Sequence, residues 1–407
     1  MSTAQEPIAA DDFVPGFDEP VERRRTWSTK WDRYRDRAAS GVEYRDVLPF
    51  WVADMEFRAP EPVLDALHAR IDHGVFGYTQ VPDSLVEATL AFLLERYRWA
   101  VEPDWLVWIP GVVPGLNLAC AAVGEPDAAV MTATPVYHPF LGAPANAGRE
   151  KIETRLTLDG TRWIMDLDDI EARLTGRTRL FMLCNPQNPT GRVYARSELA
   201  DLAAIAERHD LVVLSDEIHA ELLLGPTLEH VPFATLAPEI AARTITLMAA
   251  TKTYNIPGLS CAYAVIPDAR LRSAFRRAGR GLLAGIGPLG FAASEAAYRH
   301  GEPWRQRMLA VLRRNEAILR SAVAGMDGLA MTQVEATCLA WIDARETGIE
   351  DPQARFEAAG VGTSPGPQFG GASHAGDGFV RFNFGCSRTM LEEGIRRMRS
   401  ALEAGSE

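Results

Sequence analysis

The sequence predicts an α/β protein, with a large domain on a mostly parallel sheet wrapped by helices and a smaller α+β domain after it. Three observations carry this. The 407 residues exceed what one ordinary core holds. From about residue 60 to 290, short apolar runs alternate with helix-like segments, the pattern of repeated βα units. Beyond the helical stretch 288–325, the pattern changes to strand, glycine-rich loop, strand and amphipathic helix.

Taken in order, residues 1–25 are polar and rich in Pro, Asp and Glu, and read as a mobile arm. Strands are expected at 105–109, 128–133, 179–184, 210–215, 244–249 and 261–266, each a compact apolar run. Helices are expected at 114–123 and at 196–209, where leucine, isoleucine and alanine recur at helical spacing. The final region gives strands at 337–342 and 379–384, a Gly/Ser/Pro-rich loop at 360–378 and a helix at 389–403. The expected division is 1–50 as an N-terminal arm and part of the small domain, 51–290 as the large domain and 291–407 as the small one.

Composition narrows the function. Charged residues make up 24% and hydrophobic residues 47%, as in a soluble globular protein. A net charge of −12 argues against nucleic acid or an anionic membrane as the main partner. No apolar run is long enough to span a bilayer, and the first residues lack the basic-then-apolar pattern of a secretion signal. Cysteines 120, 184, 261, 338 and 386 are scattered, form no metal-binding or redox pair, and read as small core residues of a cytoplasmic protein.

Ligands of an open parallel sheet sit beyond the carboxyl ends of its strands. Here those ends are polar. Strand 179–184 runs into Asn185 to Gly191, strand 210–215 into Asp216-Glu217-Ile218-His219, and strand 244–249 into Thr251-Lys252. Strand 128–133 leads to Tyr137, and strand 105–109 to Gly111-Val112-Val113 and a helix start. Lys252 is one of only three lysines against 39 arginines, so a lysine kept here points to amine chemistry that a guanidinium lacks.

Pyridoxal 5′-phosphate fits this set. Lys252 offers the amine for its aldehyde, and Asp216 a carboxylate for its ring nitrogen. Val112 and Val113 offer backbone N–H groups for its phosphate. Asn188 offers a donor to its ring oxygen, and Tyr137 a partner for its ring face. Each residue also has a structural reading on its own: Asp216 as a helix cap, the Asn185 to Gly191 run as a turn, Tyr137 as core and His219 as a satisfied polar residue. Their common placement at strand ends favours the site.

With these residues in view, the chain resembles the fold-type-I pyridoxal-phosphate enzymes of the aspartate aminotransferase superfamily, and within them the MalY/PatB-type cystathionine β-lyase branch. The matching stretches are Lys30-Trp31-Asp32, Phe50 to Phe57, Asp72 to Thr79, Asn185 to Gly191, Ser215 to His219, Thr251 to Asn255 and Val380 to Asn383. The resemblance implies that Arg381 clamps the substrate α-carboxylate, with Asn188, Trp51 and Ala53 also beside the substrate. It implies that His219 lies near the cofactor ring oxygen and Thr251 by the cofactor. It also implies a homodimer in which Tyr78 reaches the cofactor phosphate of the neighbouring subunit. The implied reaction is α,β-elimination from cystathionine or another S-substituted L-cysteine. An aminotransferase or a decarboxylating relative is the alternative. Three departures from the family pattern bear on the substrate: a longer loop at 368–378, Ala250 where proline is common, and the glycine-rich segment 279–290.

Two other readings fail on the residues. Gly285 to Gly290 spells a dinucleotide-binding glycine pattern, but an Arg-rich helical segment precedes it instead of a strand. A fused transcription regulator needs a helix-turn-helix in the first 60 residues, and none is legible there.

Overall fold

The computed structural model describes residues 8–9, 12–34 and 47–404. Its main feature is an eight-stranded sheet. In spatial order the strands are Leu106–Ile109, Ala262–Val265, Thr244–Met248, Val212–Asp216, Thr178–Cys184, Ala129–Thr134, Glu150–Asp159 and Arg162–Met165. The five from Thr244–Met248 to Glu150–Asp159 run parallel. Ala262–Val265 is antiparallel to both of its neighbours, and Arg162–Met165 closes the far edge as a hairpin. All six residues of Ala129–Thr134 and all five of Thr244–Met248 are buried, as expected of strands with helices on both faces. The helix Arg196–Arg208 shows how the cover is made: it buries Leu199, Leu202, Ala203, Ile205 and Ala206 and turns its charges outward.

A second, four-stranded antiparallel sheet has the order Ala330–Met331, Leu339–Asp343, Phe379–Asn383, Ser364–Pro365. The helices Glu302–Ala324 and Arg388–Glu403 pack on it around Leu339, Ile342, Phe382 and Met398. Leu48–Pro49 pairs in parallel with Val361–Gly362, so the chain's early part joins this unit.

Several expectations need correction. The described part of the N-terminal segment is docked, not mobile. Val14 and Phe17 are buried in the small-domain core, and Asp18 forms a buried ion pair with Arg314 at 2.7 Å. The helical patterns at 288–325 resolve into two helices, Pro288–His300 and Glu302–Ala324. Pro303 cannot donate into the preceding turn, and Gly301 lies where any Cβ would come 2.4 Å from the Tyr254 ring. The hairpin Glu150–Met165 was not anticipated, because only parts of its exposed surface strand are apolar. The loop 360–378 contains two short strands and a turn of helix at Pro367–Gly370. The helix after Gly111 begins at Val112, two residues earlier than expected.

Candidate functional site

The parallel strands end where the two sheets face one another. Val212–Asp216 terminates on Asp216, whose carboxylate is buried and accepts one hydrogen bond, from the Ile218 N–H at 3.2 Å. Burial pushes its pKa up to about 7, with neighbouring Glu217 adding to the rise and Lys252 opposing it.

Beyond the adjacent strand, Lys252 Nζ donates to the Ala53 carbonyl at 2.9 Å. No carboxylate among the described residues lies within ion-pair distance of it. Its pKa is lowered, chiefly by burial, with Arg381 adding to the fall. This is the environment of an amine that can be neutral at moderate pH.

Arg381 comes from the other sheet, in the middle of Phe379–Asn383. Its Nη1 donates to Asn188 Oδ1 at 3.0 Å, and its Nη2 donates to the Trp51 carbonyl at 2.6 Å and to Ser364 Oγ at 3.2 Å. Nε is buried with no partner. Burial without a carboxylate lowers its pKa to about 10. Asn188 and Trp51 therefore meet Arg381, and Ala53 meets Lys252.

Tyr137 precedes the helix His138–Asn146 and is half-buried. Its hydroxyl pKa is raised by burial, and Arg381 and Asp216 both act on it, so it stands near both charges. His219 is buried, with Nδ1 unpartnered, and is pushed down to about 3 by burial and by Lys252 and Arg381, which keeps it neutral. Thr251 is buried beside Lys252. Val112 and Val113 open their helix after extended Gly111, and first-turn N–H groups have no carbonyl within the helix to bond. Tyr78 is the exception: it is fully exposed, in a segment 71–80 that is exposed throughout, and it has no contact with these groups in its own chain.

Two residues that sequence reasoning passed over hold the site together. Asn255 Oδ1 accepts the Met55 N–H at 2.8 Å, and its Nδ2 donates to the Met55 and Phe57 carbonyls. Asn383 Nδ2 donates to the Val52 and Asp54 carbonyls. One asparagine follows Lys252 and the other follows Arg381, so the irregular segment 52–57 is tied to the turn that carries Lys252 and to the strand that carries Arg381. Their closeness in sequence to Lys252 and Arg381 was the available signal.

Comparison with known proteins agrees with this geometry. The family described as aminotransferase class I and II is matched over residues 46–398. Cystathionine beta-lyase PatB of Bacillus subtilis is 36% identical over 395 residues, covering 95% of this chain and 99% of that protein. The crystal structure of OvoB superposes with a TM-score of 0.90 at 44% identity, covering 96% of this chain and 99% of that one. Cystalysin from Treponema denticola, whose crystal structure contains a pyridoxal 5′-phosphate cofactor, gives a TM-score of 0.90 at 28% identity over 96% of this chain and 100% of that one. The chain belongs to the aminotransferase class I and II family.

Proposed function

We propose that this protein is a pyridoxal 5′-phosphate-dependent carbon–sulfur lyase that splits cystathionine or another S-substituted L-cysteine into a thiol, pyruvate and ammonia. The carrying observation is Lys252, a buried lysine held just past a strand end by a single carbonyl, with no carboxylate among the described residues in ion-pair contact with it. Two further buried charges form no ion pair among the described residues. Asp216 suits a protonated ring nitrogen, and Arg381 suits an α-carboxylate. Asn188 and His219 would flank the ring oxygen, and Tyr137 the ring face. Val112, Val113 and Thr251 would hold the phosphate. The bound cofactor supplies an aldehyde that condenses with amines and a ring that draws off electrons.

The chain's own part in the reaction follows from these positions. Arg381 binds and orients the α-carboxylate. Neutral Lys252 Nζ removes the proton from Cα. The electron pair left at Cα forms a Cα=Cβ double bond as the Cβ–S bond breaks. Sulfur leaves with the Cβ–S pair as thiolate and is protonated to the thiol, and water hydrolyses the released enamine to pyruvate and ammonia. Asp216 keeps its negative charge facing the ring nitrogen throughout.

The same reading includes a homodimer. Val75, Phe76 and Tyr78 are exposed together, an arrangement suited to a subunit contact in which Tyr78 of the partner subunit completes the phosphate site. It also takes 51–290 as the large domain and 291–407 as the small one, with the segment before 51 attached to the latter. The five cysteines are buried and unpaired, in keeping with a reducing cytoplasm. The test is purified protein given cystathionine and S-alkyl cysteines. Thiol and pyruvate should appear in equal amounts, and neither should appear with Lys252→Ala. Amino transfer to a 2-oxo acid without thiol release identifies an aminotransferase and refutes the lyase reading.

A further inference from the structure

Arg381 has a floor that neither motif nor strand position assigns. Phe369 lies in the helical turn Pro367–Gly370 and is fully buried, and the guanidinium carbon of Arg381 stands 4.7 Å from its ring centroid. The ring is wedged edge-on against Trp341 at 5.4 Å. A guanidinium stacked on its flat face presents its N–H edge to ligands. All the hydrogen-bond partners of Arg381 are neutral, so the ring also replaces part of the water that this buried cation has lost.

The backbone around Phe369 reaches the other side of the site. Its carbonyl accepts the N–H of Val136, the residue before Tyr137, at 3.0 Å. Ser373 Oγ pairs with Thr134 Oγ1 at 2.7 Å, the Ser373 N–H donates to Glu153 Oε2 at 3.2 Å, and Arg155 Nη2 donates to the Ser373 carbonyl at 3.0 Å. Between them Gly371 takes φ +58°, and any Cβ there would stand 2.5 Å from the Glu153 carboxylate. One loop thus supports Arg381 and grips the strand end that leads to Tyr137.

We propose that Phe369 is a positioning residue for carboxylate binding. Its ring sets the plane of Arg381, and its loop holds that plane in register with Tyr137. The inference rests on the reading of Arg381 as the carboxylate clamp. The probe is 2-aminoisobutyrate, an amino acid with no α-hydrogen for Lys252 to remove, titrated into the cofactor-loaded enzyme by calorimetry. Arg381→Ala should abolish binding. Phe369→Leu should weaken it about tenfold and raise KM for a cysteine conjugate alike, with kcat held within about twofold, as when a preset binding group is left free to tilt. Phe369→Tyr, which keeps the flat ring, should bind like wild type. Melting temperatures check the fold of each variant, and Phe369→Met replaces the leucine variant if that one does not fold. Wild-type affinity in a folded Phe369→Leu or Phe369→Met protein overturns the proposal. So does a folded Phe369→Tyr protein as weak as the leucine variant. Wild-type affinity in Arg381→Ala overturns the clamp itself, and this inference with it.

Discussion

Asp216→Asn should stabilise the cofactor-free protein while destroying its function. The substitution keeps an oxygen to accept the Ile218 N–H and removes a charge buried without a partner. Burial raises the Asp216 pKa from 3.8 to about 7. At 1.36 kcal/mol per unit, that rise corresponds to about 4 kcal/mol of differential stability. The sign follows from proton binding. Between these values the native state holds a proton that the unfolded chain has released, so stability contributed by this group is full below pH 4 and falls as the pH rises through 7. The asparagine variant lacks this loss. Wild type and variant should therefore have similar denaturation midpoints near pH 4 and diverge as the pH rises to 8, the variant being the more stable by a few kcal/mol. Adding cofactor should narrow the gap by stabilising wild type, because a protonated ring nitrogen supplies the missing counter-charge. Equal midpoints at pH 8, or a less stable variant, would refute the claim that Asp216 is an uncompensated buried charge.

Asp18→Ala should cost about 3–5 kcal/mol, the usual result of stranding one member of a buried ion pair, here Arg314. Denaturation midpoints and faster proteolysis within 12–34 would report it, and an unchanged midpoint would refute it. Because the Asp18 pKa is lowered, this contribution is full above pH 4 and is lost as the pH falls through the depressed value. Mixing two inactive homodimers, Tyr78→Ala and Lys252→Ala, should restore activity after subunit exchange if the site is composite, because each hybrid then contains one intact site. No recovery despite demonstrated exchange would refute the composite site.

What was legible in the sequence depended on burial. Ala129–Thr134 and Thr244–Met248 stand out because strands covered on both faces must be apolar throughout. The direction of Ala262–Val265 is not legible in the sequence, because the connection 249–261 is long enough for either a crossover or a reversal. That Lys252, Asp216 and Asn188 gather in one region is legible because all three lie at or past strand ends of one sheet. The roles of Asn255, Asn383 and Phe369 are not, because their partners are irregular backbone or a side chain from a distant segment. Such contacts leave no periodic trace in the sequence.

The three lysines sharpen the distinction between a residue that is rare and one that is reactive. Lys30 is deeply buried, only 2% exposed. Its Nζ sits 2.7 Å from Glu56 Oε1 and donates to the Asp54 carbonyl at 2.7 Å. Lys151 pairs with Glu153 at 2.6 Å. Lys252 reaches the same segment as Lys30, bonding the carbonyl of Ala53 one residue earlier, but forms no ion pair there among the described residues, although Asp54 and Asp216 are near enough to oppose the fall in its pKa. A carboxylate partner stabilises the ammonium form and holds the charge in place. A carbonyl also accepts a hydrogen bond from the neutral amine, though a weaker one, so Lys252 can lose its proton without losing its partner. Scarcity therefore marks the places where this arginine-rich chain retains a compact amine, and the lack of an ion pair among the described residues sets Lys252 apart, in keeping with the nucleophile and base proposed above.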